Sequence, residues 1–492
     1  MEKIWNRDFK KVRSYLSDIY ALNQNKMPKN ITILGAGISG LVAAHELKKL
    51  NHNVRVIEAS NRIGGRIWTY RFGDKNGMHY GELGAMRIPF NHEFTHYYVH
   101  QMGLQHKLRK FITVLQNSEC LIDVNNKVCR LKDAIDDIYP RYELSKNRNF
   151  RSKYTEPFAA GLKTVVDVMS PREIREVFAA DLNNHLLDTI DTLFYEKNIQ
   201  LKEDDLSLSN ILPMLSKLKG NFKNVLNTYI KHIILESGSE LYQIVGGMDQ
   251  LPHNIAKDLQ EEIRLNAEVT GIKLEDNRVK ITINDNEQIY SDIVLCTIPF
   301  SVLREMKLEG FSEEKLDVIN NLTYMGASKV LFYCKDRFWE NDKYQIKEGA
   351  SVSDQFIRQT YYPITLDGAS NNKENPGVLL ASYVIGEDSD YVASLNSNEQ
   401  INMIKKSVGR FHPEIEDKDM IQDIAVVSWE KQKWTRGCSG VMWIGRKKYN
   451  LEAVIKSEKQ MFFAGEHCSP DNAWIEGAIT SALSQVAKII QL

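Results

Sequence analysis

Three closely spaced glycines interrupt the chain near its N-terminus, where an apolar run gives way to a sequence with helical periodicity. They are Gly35, Gly37 and Gly40, within Leu34–Leu41. The apolar run predicts a buried strand, and the glycines would allow a tight turn, close backbone approach to a pyrophosphate and close packing of helix on strand. The N-terminus of the predicted helix would offer unpaired N–H groups and a positive dipole end to phosphates. The segment therefore predicts a dinucleotide-binding turn.

The next apolar run supports this interpretation. Val54–Ile57 predicts a second strand, which delivers Glu58 18 residues beyond Gly40, where an acidic side chain can hold both hydroxyls of an adenosine ribose. Glycines alone would also suit an ordinary turn. Strand, glycines, helix, strand and acid follow one another here in the order of a Rossmann unit, which favours nucleotide binding.

A second glycine-rich loop directly follows the acidic strand. In Arg62–Thr69, two arginines flank two adjacent glycines. The glycines would let the chain pass close under a cofactor, and the arginines could reach its phosphates. An NAD site does not require such a loop, and the alternative is a basic surface turn.

The C-terminal region adds a further pattern. A predicted strand runs into Glu466, and Asn472–Ile479 then leads into a predicted helix of small residues at 478–490. Together, the two ends of the chain resemble the flavin-containing amine oxidase family, which includes monoamine oxidases, polyamine oxidases and L-amino acid oxidases. The resemblance implies FAD as the cofactor.

The resemblance also implies how FAD would be held. Glu466 would contact the ribityl chain, and the helix that follows Trp474 and Ile475 would point its N-terminus at the isoalloxazine ring. A Gly-Gly-Met turn at 246–248 is similar to one that the family brings back to the cofactor. The other implied FAD-binding residues are Gly35, Ala36, Gly37, Ser39, Gly40, Glu58, Ala59, Arg62, Gly64, Gly65, Arg66, Gly84, Ala85, Met86, Arg87 and Val269.

Composition and charge argue against several classes of protein. The formal net charge of −1 gives no electrostatic case for binding nucleic acid or an anionic membrane. No apolar run approaches the ~20 residues that span a bilayer. The N-terminal segment is charged throughout, unlike a secretory signal, and the six cysteines have no metal-binding spacing. We therefore expect a cytoplasmic protein with reduced thiols and no metal site.

The predicted fold class is α/β, with a discontinuous Rossmann-type FAD-binding domain, a mixed-sheet substrate-binding domain and a helical lobe. At 492 residues the chain is too long for one compact core. Residues 264–269 are predicted as a strand, and the apolar run 292–296 would rejoin the parallel sheet. The FAD-binding domain is assigned to 28–72, 237–319 and 445–492. The substrate-binding domain is assigned to 1–27, 73–130 and 320–444, and the helical domain to 131–236.

Arg87 is the strongest candidate for contact with substrate. It lies in Gly81–Pro89, a segment that closely resembles that of L-amino acid oxidases. A guanidinium matches a carboxylate with two parallel hydrogen bonds and would fix the substrate Cα–H toward the flavin. The alternative is an arginine that pairs with a neighbouring acid or lies on the surface.

Three further positions are similar to those of the same subgroup. Tyr383 could share the substrate carboxylate with Arg87, although it would also suit an ordinary strand. Lys329 falls at the family's lysine that hydrogen-bonds a water near flavin N5, and its apolar neighbours support a special role. Trp474 would offer an aromatic wall, although an aromatic residue before a helix often belongs to the core.

The segment around Cys438 differs from the monoamine oxidases, in which a cysteine at this position is linked covalently to the flavin. Ser439 stands where those enzymes have an aromatic cage residue, and this would leave room for a carboxylate and a side chain. Ser439 and Ala473 are therefore assigned to substrate binding. Most L-amino acid oxidases hold FAD without a covalent bond, so we expect Cys438 to be a small buried residue.

The resemblance implies oxidative deamination of an L-amino acid to a 2-oxo acid, with release of ammonium and hydrogen peroxide. Arg87, Tyr383, Lys329 and Trp474 would form the catalytic site. The alternatives are an amine or polyamine oxidase, an amino-acid 2-monooxygenase, and a non-enzymatic flavin-binding interaction module.

The substrate side chain is predicted to be apolar or aromatic, because the candidate walls are apolar. These walls are Trp474, Ile385 and Trp434. A buried acid in the helical lobe would instead select lysine or ornithine. The expected partners are the amino acid and dioxygen, and the protein is expected to be a homo-oligomer, a dimer or higher.

Overall fold

A five-stranded parallel sheet carries the N-terminal glycine turn in the computed structural model of the chain. Asn30–Leu34 is its central strand, between Asn53–Ile57 and Ile293–Cys296. The outer strands are Ile263–Arg264 and Met461–Phe463. The structure describes residues 7–24, 26–73, 79–144, 148–199, 201–211, 214, 233–234, 237, 240–364, 375–441 and 450–492.

Helices cover the parallel sheet, which is why its central strand is almost continuously apolar. Ile38–Lys49 starts at the glycine turn and is buried from Ile38 to Leu47. It packs against Ile475–Gln491, which also contacts Lys10–Leu22. Lys10–Leu22 therefore packs with the parallel sheet, whereas the sequence analysis grouped residues 1–27 with the substrate-binding domain. The three-domain division stays a prediction.

The return of 292–296 to the parallel sheet is confirmed, but the strand predicted at 264–269 is wrong. One strand ends at Arg264 in the parallel sheet, and another, Val269–Leu274, begins in a separate four-stranded sheet. Asn266 between them is in the left-handed region, with φ of 54°. Asparagine tolerates this conformation, which turns the chain from one sheet to the other.

A seven-stranded mixed sheet forms the second large layer. Lys329 lies on its strand Ala327–Cys334, directly opposite Tyr383 on Gly377–Ile385. The strands, in spatial order, are Ile421–Ser428, Ala327–Cys334, Gly377–Ile385, Gln359–Tyr362, Gly349–Ser353, Leu121–Val124 and Lys127–Arg130.

Smaller sheets connect these two layers. The four-stranded sheet comprises Glu287–Ser291, Val279–Ile283, Val269–Leu274 and Lys307–Glu309. A three-stranded sheet comprises Ile88–Pro89, Leu241–Ile244 and Leu108–Phe111. Two-stranded pairs join Thr69–Arg71 to Tyr80–Glu82 and Tyr324–Met325 to Ser439–Gly440.

The described part of the helical lobe is mainly helical, as predicted. Its α-helices are Ala134–Asp137, Thr155–Met169, Arg172–Asp181 and Leu187–Glu196. The remaining α-helices with defined bounds are Glu93–Gln101, Gln250–Ile255, Phe300–Leu303, Glu313–Asn321, Glu387–Ser394, Ser397–Phe411 and Leu451–Ile455. Among the helices that the structure describes, none combines the length and apolar character needed to cross a bilayer.

Candidate active site

The first glycine turn has the close backbone contacts that its sequence predicts. Gly35 has φ of 103°, and a Cβ there would lie 2.6 Å from Thr297 Oγ1. A Cβ on Gly40 would lie only 2.0 Å from the Gly35 carbonyl oxygen. Gly37 is different, because the nearest atom to a Cβ there is Gly65 Cα at 3.9 Å. Gly35 and Gly40 are therefore required by the fold, whereas Gly37 keeps open space in front of the turn.

This open space is a cavity of about 370 Å³, which we name the first cavity. Ser39, in the first turn of Ile38–Lys49, lies at its wall, and its buried Oγ has no hydrogen-bond partner within the described residues. A buried hydroxyl beside a helix N-terminus calls for an acceptor such as a phosphate oxygen. The predicted residues that line this cavity are Gly35, Gly37, Ser39, Glu58, Ala59, Arg62, Gly64, Gly65, Arg66, Ala85, Val269, Glu466, Ala473, Trp474 and Ile475.

Glu58 faces the first cavity and is held by the main chain. Its Oε2 accepts a hydrogen bond from Ala36 N at 2.7 Å. Its Oε1 accepts from Ser60 N at 2.8 Å and from Ser60 Oγ at 2.7 Å. The carboxylate is thus fixed at the end of its strand, where the sequence analysis expects contact with a ribose.

The two arginines of the second glycine loop have different surroundings. Arg62 donates to the Gly65 carbonyl at 2.8 Å and lies over the Trp68 ring. Arg66 donates to Glu466 Oε1 at 2.7 Å and to the Cys438 carbonyl at 2.8 Å. Both arginines line the first cavity, and each guanidinium also donates hydrogen bonds to the protein that surrounds it.

Glu466 joins the two ends of the chain. Besides the Arg66 contact, its Oε1 accepts from Gly440 N at 3.2 Å, and its Oε2 accepts from Ala473 N at 3.0 Å. The carboxylate is buried, so these charge-assisted bonds hold it rigidly. The two motifs that carried the family resemblance therefore meet at one wall of the first cavity.

A second cavity, of about 160 Å³, adjoins the first. The two share Arg66, Ala85, Trp429, Cys438, Ala473, Trp474 and Ile475. The second cavity is also lined by Gly84, Met86, Arg87, Lys329, Tyr383 and Ser439. The structure thus brings together the residues predicted to bind substrate, except for the candidate wall Trp434. Of the predicted cofactor residues, Ala36 and Gly40 line neither cavity and act through the shape of the turn.

Arg87 is buried, with 6% of its surface exposed, and does not lie on the protein surface. Its Nη1 donates to the Tyr361 hydroxyl at 3.0 Å, and that hydroxyl donates to Gln359 Oε1 at 3.0 Å. Tyr361 and Gln359 are uncharged and orient the guanidinium through these hydrogen bonds. Sequence reasoning missed both, because a tyrosine or glutamine on a buried strand carries no distinguishing pattern.

Lys329 also lines the second cavity, and 4% of its surface is exposed. Its Nζ donates to the Gly84 carbonyl at 2.6 Å and to the Glu82 carbonyl at 3.1 Å, and lies over the Tyr383 ring. Burial lowers the pKa of Lys329 below the usual range, the Glu82 carboxylate opposes this change, and the Arg87 charge adds to it.

The structure corrects two expectations about the walls. Trp434 lines the first cavity and not the second, whereas Ile385 lines the second and Trp474 lines both. The Gly-Gly-Met turn at 246–248 lines neither cavity. Its Met248 N donates to the Glu82 carboxylate at 2.8 Å, so the turn lies behind the cavity walls.

The charge of the second cavity is one-sided. Among the described residues that line it, none is acidic, and Arg66, Arg87 and Lys329 are basic. Arg66 is paired with Glu466, and Arg87 and Lys329 bring further positive charge to the lining. The apolar wall residues Met325 and Val441, and Trp429, which donates to the Leu83 carbonyl at 3.0 Å, were not predicted from the sequence. The cavity therefore suits an anionic group beside an apolar one.

Cys438 is part-buried at the junction of the two cavities. Burial raises the pKa of its thiol to about 11, so the nucleophilic thiolate is disfavoured at neutral pH. Covalent linkage of a flavin through Cys438 stays a hypothesis. Within the described ranges, His, Cys, Asp and Glu side chains form no group of three or more that could hold a metal ion.

The parallel sheet, the glycine turns and the two adjoining cavities define a flavin-binding oxidoreductase of α/β fold. The model of the flavin-containing amine oxidoreductase family matches residues 38–490, and the chain belongs to this family. Its cofactor is FAD, which the orphaned Ser39 hydroxyl and the open face of Gly37 fit.

Individual relatives cover almost the whole chain. The flavin-dependent L-tryptophan oxidase RebO of Lentzea aerocolonigenes is 34% identical over 94% of this chain and 98% of its own length. The putative L-amino-acid oxidase YobN of Bacillus subtilis (strain 168) is 28% identical over 96% of each chain. Cyclohexylamine oxidase from Brevibacterium oxydans IH-35A has the same fold, with a TM-score of 0.62, 18% identity, and coverage of 94% of this chain and 99% of that one.

Proposed function

We propose that the protein is an L-amino acid oxidase whose substrates have apolar or aromatic side chains. The observation that carries this proposal is the buried Arg87 guanidinium in a cavity that adjoins the cofactor cavity. A simple amine gives such a residue nothing to bind, whereas an α-carboxylate matches it with two parallel hydrogen bonds. The names of the L-tryptophan oxidase and the putative L-amino-acid oxidase among the relatives support the same class.

The substrate carboxylate would bind Arg87 and the Tyr383 hydroxyl. Both residues line the second cavity, and Tyr361 and Gln359 orient the guanidinium from behind. Anchoring the carboxylate at one end limits the positions of Cα, so that its hydrogen is presented to the cofactor cavity. FAD, when bound, supplies the acceptor for this hydrogen and its electron pair and later passes the electrons to dioxygen.

The basic lining of the second cavity also acts on the substrate amine. Arg87 and Lys329 raise the local positive potential, which disfavours a protonated ammonium group. A neutral amine has the lone pair that assists loss of the Cα hydrogen, so no side-chain general base is required. Lys329 donates to two carbonyls, and we assign it to the steps that follow loss of the Cα hydrogen, namely the oxidative half-reaction or hydrolysis of the imine.

The apolar walls favour an apolar or aromatic side chain. Met325, Ile385, Val441 and Trp474 line the second cavity, and no described lining residue carries a carboxylate for a cationic side chain. Lysine and ornithine would therefore lose the solvation of their ammonium group without gaining a partner. The name of the L-tryptophan oxidase supports the same preference.

A peroxide-coupled screen against the twenty L-amino acids and L-ornithine tests this proposal. Phenylalanine, tryptophan, leucine, lysine and ornithine are each paired with their decarboxylated amine and their D-enantiomer. We expect the apolar L-amino acids to be oxidised in preference to lysine and ornithine, and every amine to react poorly. Equal oxidation of the paired amines would instead identify an amine oxidase.

Product analysis separates the remaining alternatives. A 2-monooxygenase would release an amide and carbon dioxide instead of a 2-oxo acid and hydrogen peroxide. A protein that contains FAD but shows no anaerobic bleaching with any amino acid or amine would be a flavin-binding interaction module. Size-exclusion chromatography with light scattering tests the proposed homo-oligomer.

A further inference from the structure

Glu82 contacts the lysine of the second cavity but does not itself line that cavity. It ends the strand Tyr80–Glu82, and its main-chain carbonyl accepts the hydrogen bond from Lys329 Nζ at 3.1 Å. Its carboxylate is held from another direction, because Thr69 Oγ1 donates to it at 2.9 Å and Met248 N donates at 2.8 Å. Glu82 therefore holds the Lys329 amine through its main-chain carbonyl, while its own carboxylate is held by Thr69 and Met248.

We propose that Glu82 is a positioning residue for Lys329: its main-chain carbonyl orients the amine, and its carboxylate supplies negative charge that favours the protonated form of that amine. This inference rests on the proposed function, which gives Lys329 its role in the second cavity. The sequence of Gly81–Pro89 did not indicate this role for Glu82. The similarity of that segment to L-amino acid oxidases drew attention to Arg87 instead. The contact with Lys329 is visible only in the folded chain.

The charges around Lys329 make Glu82 the main group that favours the protonated amine. Burial and the Arg87 guanidinium both disfavour the ammonium, and the Glu82 carboxylate opposes them. The Cys438 thiol acts in the same direction as Glu82, but its pKa of about 11 leaves it neutral. The Tyr383 ring, on the adjacent strand, faces the ammonium and adds a smaller attraction.

The surroundings of Glu82 act on its charge in opposite directions. Burial raises the pKa of Glu82 above its usual range, and the hydrogen bonds from Met248 N and Thr69 and the charge of Lys329 oppose this rise. Asp249 is the other nearby acid, and its charge is offset because Arg71 donates to both of its oxygens, at 2.7 and 2.8 Å. Of the residues that line the second cavity, Lys329 is therefore the cation whose charge acts on the Glu82 carboxylate.

The test is a pH titration of the visible absorption spectrum of the oxidised holoenzyme, which requires no turnover. The wild type should show a spectral transition as Lys329 loses its proton, and Lys329→Met should lack it. Glu82→Gln keeps the size and one acceptor oxygen but removes the charge, so the midpoint should move to lower pH by about one unit or more. Glu82→Asp keeps the charge farther from the amine and should give a midpoint between those of Glu82→Gln and the wild type.

An unmoved midpoint in flavin-loaded Glu82→Gln would overturn the inference, as would a transition that persists in Lys329→Met. If Glu82→Gln purifies without flavin, Glu82→Asp decides the question, and a midpoint equal to that of the wild type would count against Glu82. The substrate screen is independent of this titration. A wild type that oxidises no amino acid, combined with a shifted midpoint in Glu82→Gln, would reject the proposed function and retain the role of Glu82.

Discussion

The first and second cavities adjoin each other but are built from different parts of the chain. The first includes main chain, at the turns around Gly35–Gly40 and Gly64–Gly65, and carboxylates that bind backbone N–H groups. The second is shaped by side chains from separate strands, chiefly Arg87, Lys329 and Tyr383. Where the main chain forms a cavity wall, few substitutions are tolerated. Where side chains form it, a substitution can change the ligand that binds without changing the fold.

The strongest test of this contrast compares two glycines of the same turn. Gly40→Ala should abolish soluble holoprotein, because its Cβ would meet the Gly35 carbonyl at 2.0 Å. Gly37→Ala should keep the fold, since its Cβ has room, but should lower the flavin content to roughly a tenth or less by filling the approach to the pyrophosphate. Circular dichroism and flavin absorbance per polypeptide measure the two effects. Full flavin content in Gly37→Ala would show that this face of the turn does not meet the cofactor.

The next largest effect is expected at the carboxylate anchor of the second cavity. Arg87→Ala should lower kcat/KM for amino acids by roughly two to three orders of magnitude, because a desolvated, hydrogen-bonded charge pair is worth about 2–5 kcal/mol. Arg87→Lys should recover part of the loss, since an ammonium lacks the two-pronged geometry. The decarboxylated amine is the control and should react no worse with Arg87→Ala. Amino-acid turnover within a few-fold of wild type would make Arg87 structural.

Lys329 should separate the two half-reactions. Lys329→Met keeps the length of the side chain and removes the amine, so anaerobic flavin reduction by substrate should survive better than turnover in air. Stopped-flow spectroscopy measures the rate of each half-reaction. An equal loss in both would assign Lys329 to substrate binding or to folding, because the residue is proposed to act after the Cα hydrogen is lost.

The smallest effects should distinguish the two tryptophans. Trp434 lines the first cavity and is 38% exposed, so Trp434→Ala should weaken FAD retention a few-fold and leave KM unchanged. Trp474 lines both cavities, and Trp474→Ala should therefore alter KM as well as FAD retention. Flavin release during dilution and steady-state kinetics measure these changes. A raised KM in Trp434→Ala would indicate that this side chain reaches the substrate.

The two cavities also differ in how far the sequence predicts them. Gly35, Gly40 and Glu58 were identified from spacing, because a turn that forbids a Cβ leaves glycines at fixed positions. Arg87 and Lys329 were identified only through a family resemblance. Tyr361 and Glu82, which hold them, were missed, because a side chain that supports another across the fold leaves no local pattern in the sequence.

The strand boundary near Asn266 and the wall formed by Trp434 show the same limit. The run 264–269 has the alternation of a strand, but one left-handed residue divides it between two sheets. Trp434 is apolar and near Cys438 in sequence, which fits either cavity. Its assignment depends on the path of the chain between strands, which apolar periodicity does not encode.

The ion pair between Arg66 and Glu466 has a consequence for how the protein is made. Its partners are 400 residues apart, and Glu466 also holds Ala473 N. During synthesis the glycine loop that carries Arg66 emerges 400 residues before Glu466, so the wall that closes the first cavity does not exist until that later segment has left the ribosome. Contacts between such distant segments form slowly, so the nascent chain must remain soluble without its cofactor while the intervening residues are made. Cofactor loading is therefore expected to follow synthesis of the segment that carries Glu466.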